Sequence, residues 1–375
     1  MKSPWPRRIL TTTLVAAVLI ALSASSLRHG YAALLALADL AHVDLPLAQN
    51  RPEALRSATS WRMDGRVQEA DLYLPTDGPR AGMVLVPGAA AEGRNDPRLM
   101  EFATMLARSG FAVVVPDIQS LRRLEPSPES IGEIAGAFAF LRDEAGLEPG
   151  GWLGIGAFSV ATGPAVLAAL DPAIRGQVRF LFLVGGYHDM KRILTYLTTG
   201  YFELDGMPQH REPNAYGKWV YALSNAQRLP DPSDREALSI LVQRKLNDPA
   251  AATDDVYAKL GPPGLAVYDF ITNADAEKVP TLMQNLPPAV RADIDALNLA
   301  AVDLSELDAE VILVHGLDDD IIPYTESVSL AAALPEGQAH LYLLEGLHHV
   351  DRDISGMDIW RTWRALHLLL TPQIQ

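Results

Sequence analysis

The sequence WLGIGAFSVATGPAVLAAL, residues 152–170, decides the fold. Trp152–Gly156 is a short, continuous apolar run, which predicts a strand buried on both faces of a sheet. Ala161–Leu170 follows with the composition of a helix. Ser159 lies between the two, where a sharp turn would present its hydroxyl group for attack. The stretch therefore predicts a strand–turn–helix unit with a candidate nucleophile at the junction.

The neighbours of Ser159 fit such a turn. Because the chain is crowded there, small residues are needed two positions before and two positions after the serine. These positions are Ala157 and Ala161. A serine at a strand-to-helix junction also fits a simple helix N-cap, so the motif alone leaves both interpretations open.

The same alternation of apolar strand and helix extends in both directions from this stretch. Further strands are predicted at Ser57–Trp61, Val67–Leu74, Met83–Pro87, Phe111–Pro116, Val178–Gly186, Glu310–Gly316 and His340–Gly346. Further helices are predicted at Pro97–Ser109, Ser130–Glu144, Ser327–Leu334 and Asp358–Leu370. Strands that alternate with helices indicate βαβ units with right-handed crossovers. The sequence therefore predicts an α/β fold with a mostly parallel sheet and helices on both faces.

The alternation stops between residues 190 and 305. This stretch is rich in Pro, Asn and Asp and contains helical segments such as Arg235–Leu246 and Ala289–Leu299. It is too long for a loop. We interpret it as an inserted helical cap over the carboxyl ends of the strands, where ligands bind in open α/β sheets. The core is then predicted to comprise residues 57–189 and 306–375.

The N-terminus has the pattern of an export signal. Lys2, Arg7 and Arg8 precede the apolar run Ile9–Ser26, which ends in small residues. The run is at the lower limit for spanning a bilayer, so an uncleaved anchor is an equal interpretation, and a buried helix is a third. With the basic residues on the cytoplasmic side, the body would lie in the cell envelope outside the cytoplasm, or be secreted.

Residues 1–30 are thus predicted to be a signal peptide or membrane anchor, and residues 31–56 a linker or helical segment. The first 30 residues hold four basic and no acidic side chains, so the rest carries a net charge of −19 within a total of −15. Such an acidic body argues against nucleic acid as a partner, because phosphates would be repelled. The absence of cysteine excludes disulfides, a cysteine nucleophile and thiolate metal sites.

An acidic loop follows the strand predicted at Glu310–Gly316. It contains three candidate carboxylates, Asp318, Asp319 and Asp320. A carboxylate at the end of a buried strand can orient an imidazole and stabilise its charged form. A solvated acidic turn or a helix N-terminus would show the same residues, so the run alone does not select one of them.

Two histidines follow the last predicted strand, in the segment Glu345–Asp351. His348 or His349 would take the proton of a serine hydroxyl and return it to a leaving group. The same pair also fits one surface histidine and one packed histidine. A metal site with Asp351 and Asp353 is disfavoured because adjacent residues rarely bind one ion together, so no metal is predicted.

Four segments together resemble the α/β-hydrolase superfamily over residues 57–372. They are MVLVPG for the strand and oxyanion loop, LGIGAFSVATG for the nucleophile turn, LVHGLDDDIIP for the acid loop and LLEGLHHVD for the histidine loop. The resemblance implies a mostly parallel sheet of the α/β-hydrolase type with an inserted helical cap.

The resemblance also implies roles for individual residues. Ser159 is the nucleophile. Asp319 is the acid, since it stands three residues after Gly316 and four before Pro323, and Asp318 and Asp320 are the runners-up. His349 is the base, three residues after Gly346, with His348 as the runner-up. The backbone N–H groups of Ala89 and Val160 are the implied oxyanion hole.

The implied function is a carboxylesterase-like serine hydrolase that cleaves an ester, thioester or amide through an acyl-enzyme, with a small-molecule acyl substrate and no cofactor. The alternative is a non-catalytic, membrane-tethered binding protein that keeps the fold. The sequence predicts no oligomeric state. Cap aromatics either line an acyl pocket or form the cap's own core: Tyr196, Tyr201, Phe202, Trp219, Tyr221, Tyr257, Tyr268 and Phe270.

Overall fold

The computed structural model describes residues 30–43, 51–144, 147, 151–348, 351–352 and 356–371. The apolar run Ile9–Ser26, the predicted base His349 and Asp353 therefore lie outside the described residues. The same holds for the side chain of His348.

The described part of the chain contains twelve strands and fourteen α-helices. The strands are β1 (Ala54–Met63), β2 (Arg66–Pro75), β3 (Ala81–Val86), β4 (Phe111–Pro116), β5 (Trp152–Phe158), β6 (Phe180–Val184), β7 (Tyr201–Leu204), β8 (Met207–His210), β9 (Glu310–Gly316), β10 (Ala339–Leu344), β11 (Leu347–His348) and β12 (Asp351–Arg352). The helices are α1 (residues 30–40), α2 (Pro97–Arg108), α3 (Gln119–Arg122), α4 (Glu129–Glu144), α5 (Thr162–Ala169), α6 (Met190–Thr199), α7 (Ala215–Ala226), α8 (Pro232–Asn247), α9 (Asp254–Tyr257), α10 (Pro262–Thr272), α11 (Val279–Asn285), α12 (Pro288–Ala296), α13 (Thr325–Ala333) and α14 (Gly356–Leu370).

Eight of the strands form one sheet, in the order β1-β2-β4-β3-β5-β6-β9-β10. From β4 to β10, every neighbouring pair is parallel. β2 runs antiparallel to both β4 and β1. β3, β4 and β6 are buried along their whole length, which explains their continuous apolar sequences. The predicted fold class, a mostly parallel sheet with helices on both faces, is confirmed.

The two faces of the sheet carry separate hydrophobic layers. Successive side chains of a strand point to opposite faces. On β3, Met83 and Leu85 pack with the layer formed by α1, α2 and α14. Val84 and Val86 pack with the layer formed by α4, α5 and the segment between β6 and β9. Helices from both layers therefore lie beside the edge at which the parallel strands end.

Strands β1 and β2 form an antiparallel hairpin that begins before the first predicted strand. Its turn, Asp64-Gly65, has φ values of 49° and 76°, as a two-residue type I′ turn requires. β1, however, begins at Ala54, three residues before the predicted strand and inside the segment predicted as a linker. β1 is an edge strand with mostly exposed side chains, so its first residues carry no apolar pattern that would predict them.

Helices α6 to α12 and the hairpin β7–β8 lie between β6 and β9 in the chain. Their apolar side chains, including Leu194, Trp219, Leu238 and Phe270, belong to the same buried cluster as α4 and α5. This segment therefore shares one apolar core with the helices α4 and α5 on that face of the sheet. Within the described ranges, no helix has both the length and the apolar content needed to cross a membrane.

Candidate active site

Ser159 lies on a strained turn at the end of a buried strand. β5 ends at Phe158, one 3₁₀ turn follows, and α5 begins at Thr162. The φ angle of Ser159 is 54°, in the left-handed region that costs a non-glycine residue of order 1–3 kcal/mol. The Thr162 hydroxyl donates to the Ser159 carbonyl at 2.7 Å and helps to hold the turn. A simple N-cap does not need this conformation.

The turn is held by close packing on the helix side. Ala157 and Ala161 are fully buried. A Cβ atom on Gly163 would lie 1.9 Å from the Tyr187 hydroxyl oxygen, so only glycine fits there. That hydroxyl donates to the Leu297 carbonyl at 3.0 Å, and burial raises the pKa of Tyr187, so it remains a donor. The small residues around the serine thus let α5 approach the segment after β6.

The loop after β3 passes beside Ser159. A Cβ atom on Gly88 would lie 3.6 Å from Ser159 Cβ. Ala89, the next residue, and Val160, the residue after the serine, line the same cavity as Ser159. The two residues predicted to supply oxyanion donors are thus on the wall of one cavity with the predicted nucleophile.

The three candidate acids have different surroundings. Asp319 is fully buried, and its Oδ1 accepts from the N–H groups of Ile321 and Ile322, both at 2.9 Å. Charge-assisted bonds of this kind are what a buried carboxylate needs. The Asp318 side chain is 61% exposed, and Asp320 Oδ2 lies 3.3 Å from the Asn214 side-chain amide. Of the three candidate acids, Asp319 is therefore the one whose side chain is fully buried.

His315 lies behind Asp319 and is equally buried. Its Nε2 is 3.3 Å from Asp319 Oδ2 and 2.9 Å from the Ile322 carbonyl. Nε2 faces two acceptors and therefore carries a proton. Nδ1 lies 2.7 Å from the Ser327 hydroxyl. No pattern in the sequence indicates this contact, although His315 is in the quoted acid-loop motif.

The segment between β6 and β9 also fixes the acid loop. Nη1 of Arg211 donates to the carbonyls of Leu317 and Asp319, at 3.0 and 3.2 Å. The Asn214 N–H donates to the Asp320 carbonyl at 2.8 Å. Arg211 and Asn214, which precede α7, therefore hold the acid loop in place.

The loop after β10 is pressed against the end of β9. A Cβ atom on Gly316 would lie 1.6 Å from the Leu347 carbonyl oxygen, so only glycine allows this approach. The Leu317 N–H donates to the Leu344 carbonyl at 2.7 Å. The segment that leads to the two predicted histidines therefore begins beside the acid loop.

Asp358 holds the same loop from α14. It is 1% exposed, and its two carboxylate oxygens accept from the N–H groups of Glu345 and Gly346, at 2.8 and 2.9 Å. His348, two residues later, pairs with Asp351 in the short β11–β12 ladder. The sequence gives no signal for this role of Asp358, because its partners are 12 and 13 residues away. Which of the two histidines acts as the base stays a prediction.

A cavity of about 750 Å³ lies at this edge of the sheet, with Ser159 on its wall. One side is apolar and comes from the layer of α1, α2 and α14: Leu40, Leu99, Phe102, Phe182, Val184, Leu344, Leu347, Ala365 and Leu366. The other side comes from α6, α7 and the acid loop: Met190, Ile193, Leu194, Leu197, Tyr216, Val220, Tyr221, Ile321 and Ile322. The volume is in the range of small-molecule sites.

The cap aromatics are mostly part of their own packing. All eight aromatic residues named from the sequence lie within the described residues. Of these eight, Tyr221 lines the cavity. Tyr196 packs edge-on against Phe202, with ring centroids 5.8 Å apart.

The described residues contain no group of three His, Asp or Glu side chains arranged to hold a metal ion.

No family model matches the chain, and neither does any curated protein. Solved structures with a similar arrangement include a fungal esterase from Rhizomucor miehei, with 12% identity, a TM-score of 0.49, and coverage of 87% of this chain and 85% of that one. A bacterial heroin esterase has 16% identity, a TM-score of 0.48, and coverage of 86% and 85%. A puromycin-hydrolyzing peptidase from Mycobacterium tuberculosis has 14% identity, a TM-score of 0.48, and coverage of 84% and 38%.

Strand order and direction, rather than sequence identity, decide the fold class. The eight-stranded sheet is mostly parallel, and helices cover both of its faces. A sharp turn with a serine joins β5 to α5, as in an α/β-hydrolase sheet. The chain has the α/β-hydrolase fold.

Proposed function

We propose that this protein is a serine hydrolase that cleaves a carboxylic ester through an acyl-enzyme. The observation that carries the proposal is Ser159 in a left-handed conformation at the end of β5, on the wall of an apolar cavity. Strain of this kind persists where a fold needs a side chain in one position, and it clusters at active sites.

In the proposed reaction, the Ser159 hydroxyl attacks the ester carbonyl carbon while its proton moves to His349. The N–H groups of Ala89 and Val160 donate to the oxyanion of the tetrahedral intermediate. The carbon–oxygen bond to the alcohol then breaks, and the imidazolium gives its proton to the leaving alkoxide. A water molecule then attacks the acyl-enzyme with His349 as the base. This step releases the carboxylic acid and restores the Ser159 hydroxyl.

Asp319 orients the imidazole and stabilises its charged form. Its burial and its two backbone donors support this role, because the N–H groups of Ile321 and Ile322 hold the carboxylate in one position away from solvent. The placement of Leu347 against Gly316 supports a nearby histidine loop. We prefer an ester to a thioester or an amide because an alkoxide leaves with less assistance than an amine.

Labelling with a fluorophosphonate probe followed by peptide mapping tests this proposal. We expect one labelled peptide, with the probe on Ser159, and no label on a Ser159→Ala variant that melts at the wild-type temperature. Label on a different residue, or equal labelling of the variant, contradicts the proposal. A folded protein without any labelling favours the non-catalytic binding protein.

We also propose that Ile9–Ser26 enters a bilayer and that the acidic body lies outside the cytoplasm. The basic residues before the run and its 18-residue length support this placement. Washing isolated membranes with alkaline carbonate and measuring the intact mass of the retained chain tests it. We expect the uncleaved chain in the pellet; a chain that is released, or that has lost the run, contradicts the anchor.

A further inference from the structure

Exposed apolar side chains are concentrated where α1 meets α14. The members are Tyr31 and Leu34 on α1, and Met357, Ile359 and Trp360 on α14, with exposed fractions between 41% and 56%. Single exposed apolar residues are ordinary, but a group of this size on two adjacent helices indicates an interaction surface. We call this group the α1–α14 face.

Direct contacts join the two helices at this face. Trp360 stacks on Trp363 with ring centroids 4.9 Å apart and an interplanar angle of 14°. The Trp363 indole N–H donates to the Gly30 carbonyl at 3.0 Å. Ile359 is one helical turn before Trp363 and therefore points to the same side. Ile359 and Trp360 thus lie beside the first described turn of α1.

Partly buried ion pairs fix α1 to the body. Asp39 contacts Arg51 at 2.5 Å and Arg108 at 3.2 Å. Arg51, with 8% of its side chain exposed, also donates to the Ser109 hydroxyl at 2.6 Å. The buried side of α1, including Leu37 and Leu40, packs with α2 and α14. The α1–α14 face therefore has a fixed orientation relative to the cavity.

The chain itself connects this face to the apolar run Ile9–Ser26. Gly30 follows Ser26 by four residues. Four residues span at most about 14 Å even when fully extended. If the run lies in a bilayer, the start of α1 must lie within that distance of the bilayer surface.

We propose that the α1–α14 face rests on the lipid bilayer into which the run inserts. Tyr and Trp side chains are the ones that prefer the boundary between headgroups and hydrocarbon, and this face presents Tyr31 and Trp360 there. The inference rests on the proposed bilayer insertion of Ile9–Ser26 and is independent of the proposed hydrolase activity.

This orientation places the cavity next to the lipid. The opposite side of α14 lines the cavity through Thr362, Ala365 and Leu366. One helix, about 10 Å across, then separates the bilayer from the cavity that holds Ser159. An apolar substrate dissolved in the membrane would have a short path to the serine.

Single-cysteine variants of the full chain test the proposal, because the natural sequence contains no cysteine. Leu34→Cys and Ile359→Cys place a fluorescent label on the α1–α14 face. Val67→Cys on β2 and Ile240→Cys on α8 are controls with 57% and 42% exposure on elements outside this face. All four sites are exposed, so labelling leaves the core intact. Each variant is reconstituted in phosphatidylcholine vesicles with and without nitroxide-labelled lipid.

We expect the nitroxide lipid to reduce emission from positions 34 and 359 by about twofold or more, and to leave positions 67 and 240 nearly unchanged. A chain that does not float with the vesicles overturns the anchor and this face together. A chain that floats, but whose labels at 34 and 359 are not quenched, overturns the face alone.

Two further outcomes also contradict the proposal. Equal quenching at all four positions would mean that the body has no fixed orientation on the membrane. Self-quenching at position 359 that grows with the protein-to-lipid ratio, without quenching by the nitroxide lipid, would mean that the face binds a second copy of the chain.

Discussion

At the scale of single residues, burial distinguishes side chains that the sequence leaves equivalent. Asp318, Asp319 and Asp320 are adjacent and chemically identical, yet only Asp319 is fully buried. Its carboxylate is held by two backbone N–H groups and contacts His315. Residue types alone did not select it, and the family resemblance did so only by counting from a glycine and a proline.

Substitution of Asp319 by asparagine is expected to lower kcat by about 10³- to 10⁴-fold, because the amide favours the wrong imidazole tautomer. The matched variant Asp318→Asn, at an exposed position in the same loop, is expected to stay within about twofold of wild type, as surface changes usually do. Hydrolysis of a p-nitrophenyl ester measures both. An equal loss in the two variants would show that the loop, rather than the Asp319 carboxylate, matters.

Glu133 provides a residue-scale test of stability. Its Oε2 is buried and has no hydrogen-bond partner among the described residues, and burial, aided by Glu129, raises the pKa of Glu133 above its ordinary value of 4.5. The folded protein therefore binds this proton more tightly than the unfolded chain does. Its contribution to stability is fully present below pH 4.5 and is lost as the pH rises through the raised pKa.

Glu133→Gln is therefore expected to raise the free energy of unfolding at pH 8 relative to wild type and to leave it nearly unchanged at pH 4. Urea unfolding at the two pH values measures the difference. A variant that is destabilised at pH 8 but not at pH 4 would mean that the carboxylate makes a favourable contact in its ionised form, which would contradict this prediction.

At the scale of elements, predictability follows the amount of burial. The central strands were predicted because both of their faces are covered and their sequences are continuously apolar. The hairpin β7–β8 was not predicted, since it is short and largely exposed. Its turn, Asp205-Gly206, has φ values of 50° and 74°, and this dipeptide was the one signal that would have revealed it.

The conformation of the loop after β10 depends on hydrogen bonds to helix α14. Asp358 on α14 accepts from Glu345 and Gly346 and so fixes the segment before the predicted histidines. Asp358→Asn is expected to lower kcat by about tenfold to a hundredfold, because a displacement near 1 Å of a catalytic group has effects of this size. KM should change little, since the cavity wall remains. Steady-state kinetics with a p-nitrophenyl ester measures both values.

Glu345→Gln is the matched control for Asp358→Asn. The Glu345 side chain is 61% exposed and lies in the same loop, so its loss of charge should leave kcat near the wild-type value. A larger effect from Glu345→Gln than from Asp358→Asn would contradict the role assigned to Asp358.

At the scale of the whole molecule, the cavity joins the two hydrophobic layers across the end of the sheet. Its lining combines residues of α14 and β10 with residues of α6 and α7, which are far apart in the chain. The sequence predicted that a cap would cover the strand ends, but the apolar contribution of α1, α2 and α14 to the cavity depends on side-chain directions that only the folded chain defines.

The apolar lining predicts a preference for longer acyl chains. Across p-nitrophenyl esters of increasing length, kcat/KM should rise up to about fourfold for each methylene group that becomes buried, until the cavity is filled. Thr362→Trp and Val220→Trp, at half-buried positions on opposite walls, should shorten the preferred chain. Ile240→Trp, exposed on α8, should not. A profile that is highest for acetate in the wild type would contradict an acyl-binding cavity.

The central claim is that Ser159 forms the covalent intermediate. Mixing the full chain with a p-nitrophenyl ester, stopping the reaction with acid within milliseconds and mapping the peptides by mass spectrometry tests it most directly. The account predicts an added acyl mass on Ser159 whose amount matches the burst of nitrophenol. Turnover of the ester with no acyl group on Ser159, or with the acyl group on another residue, would contradict it.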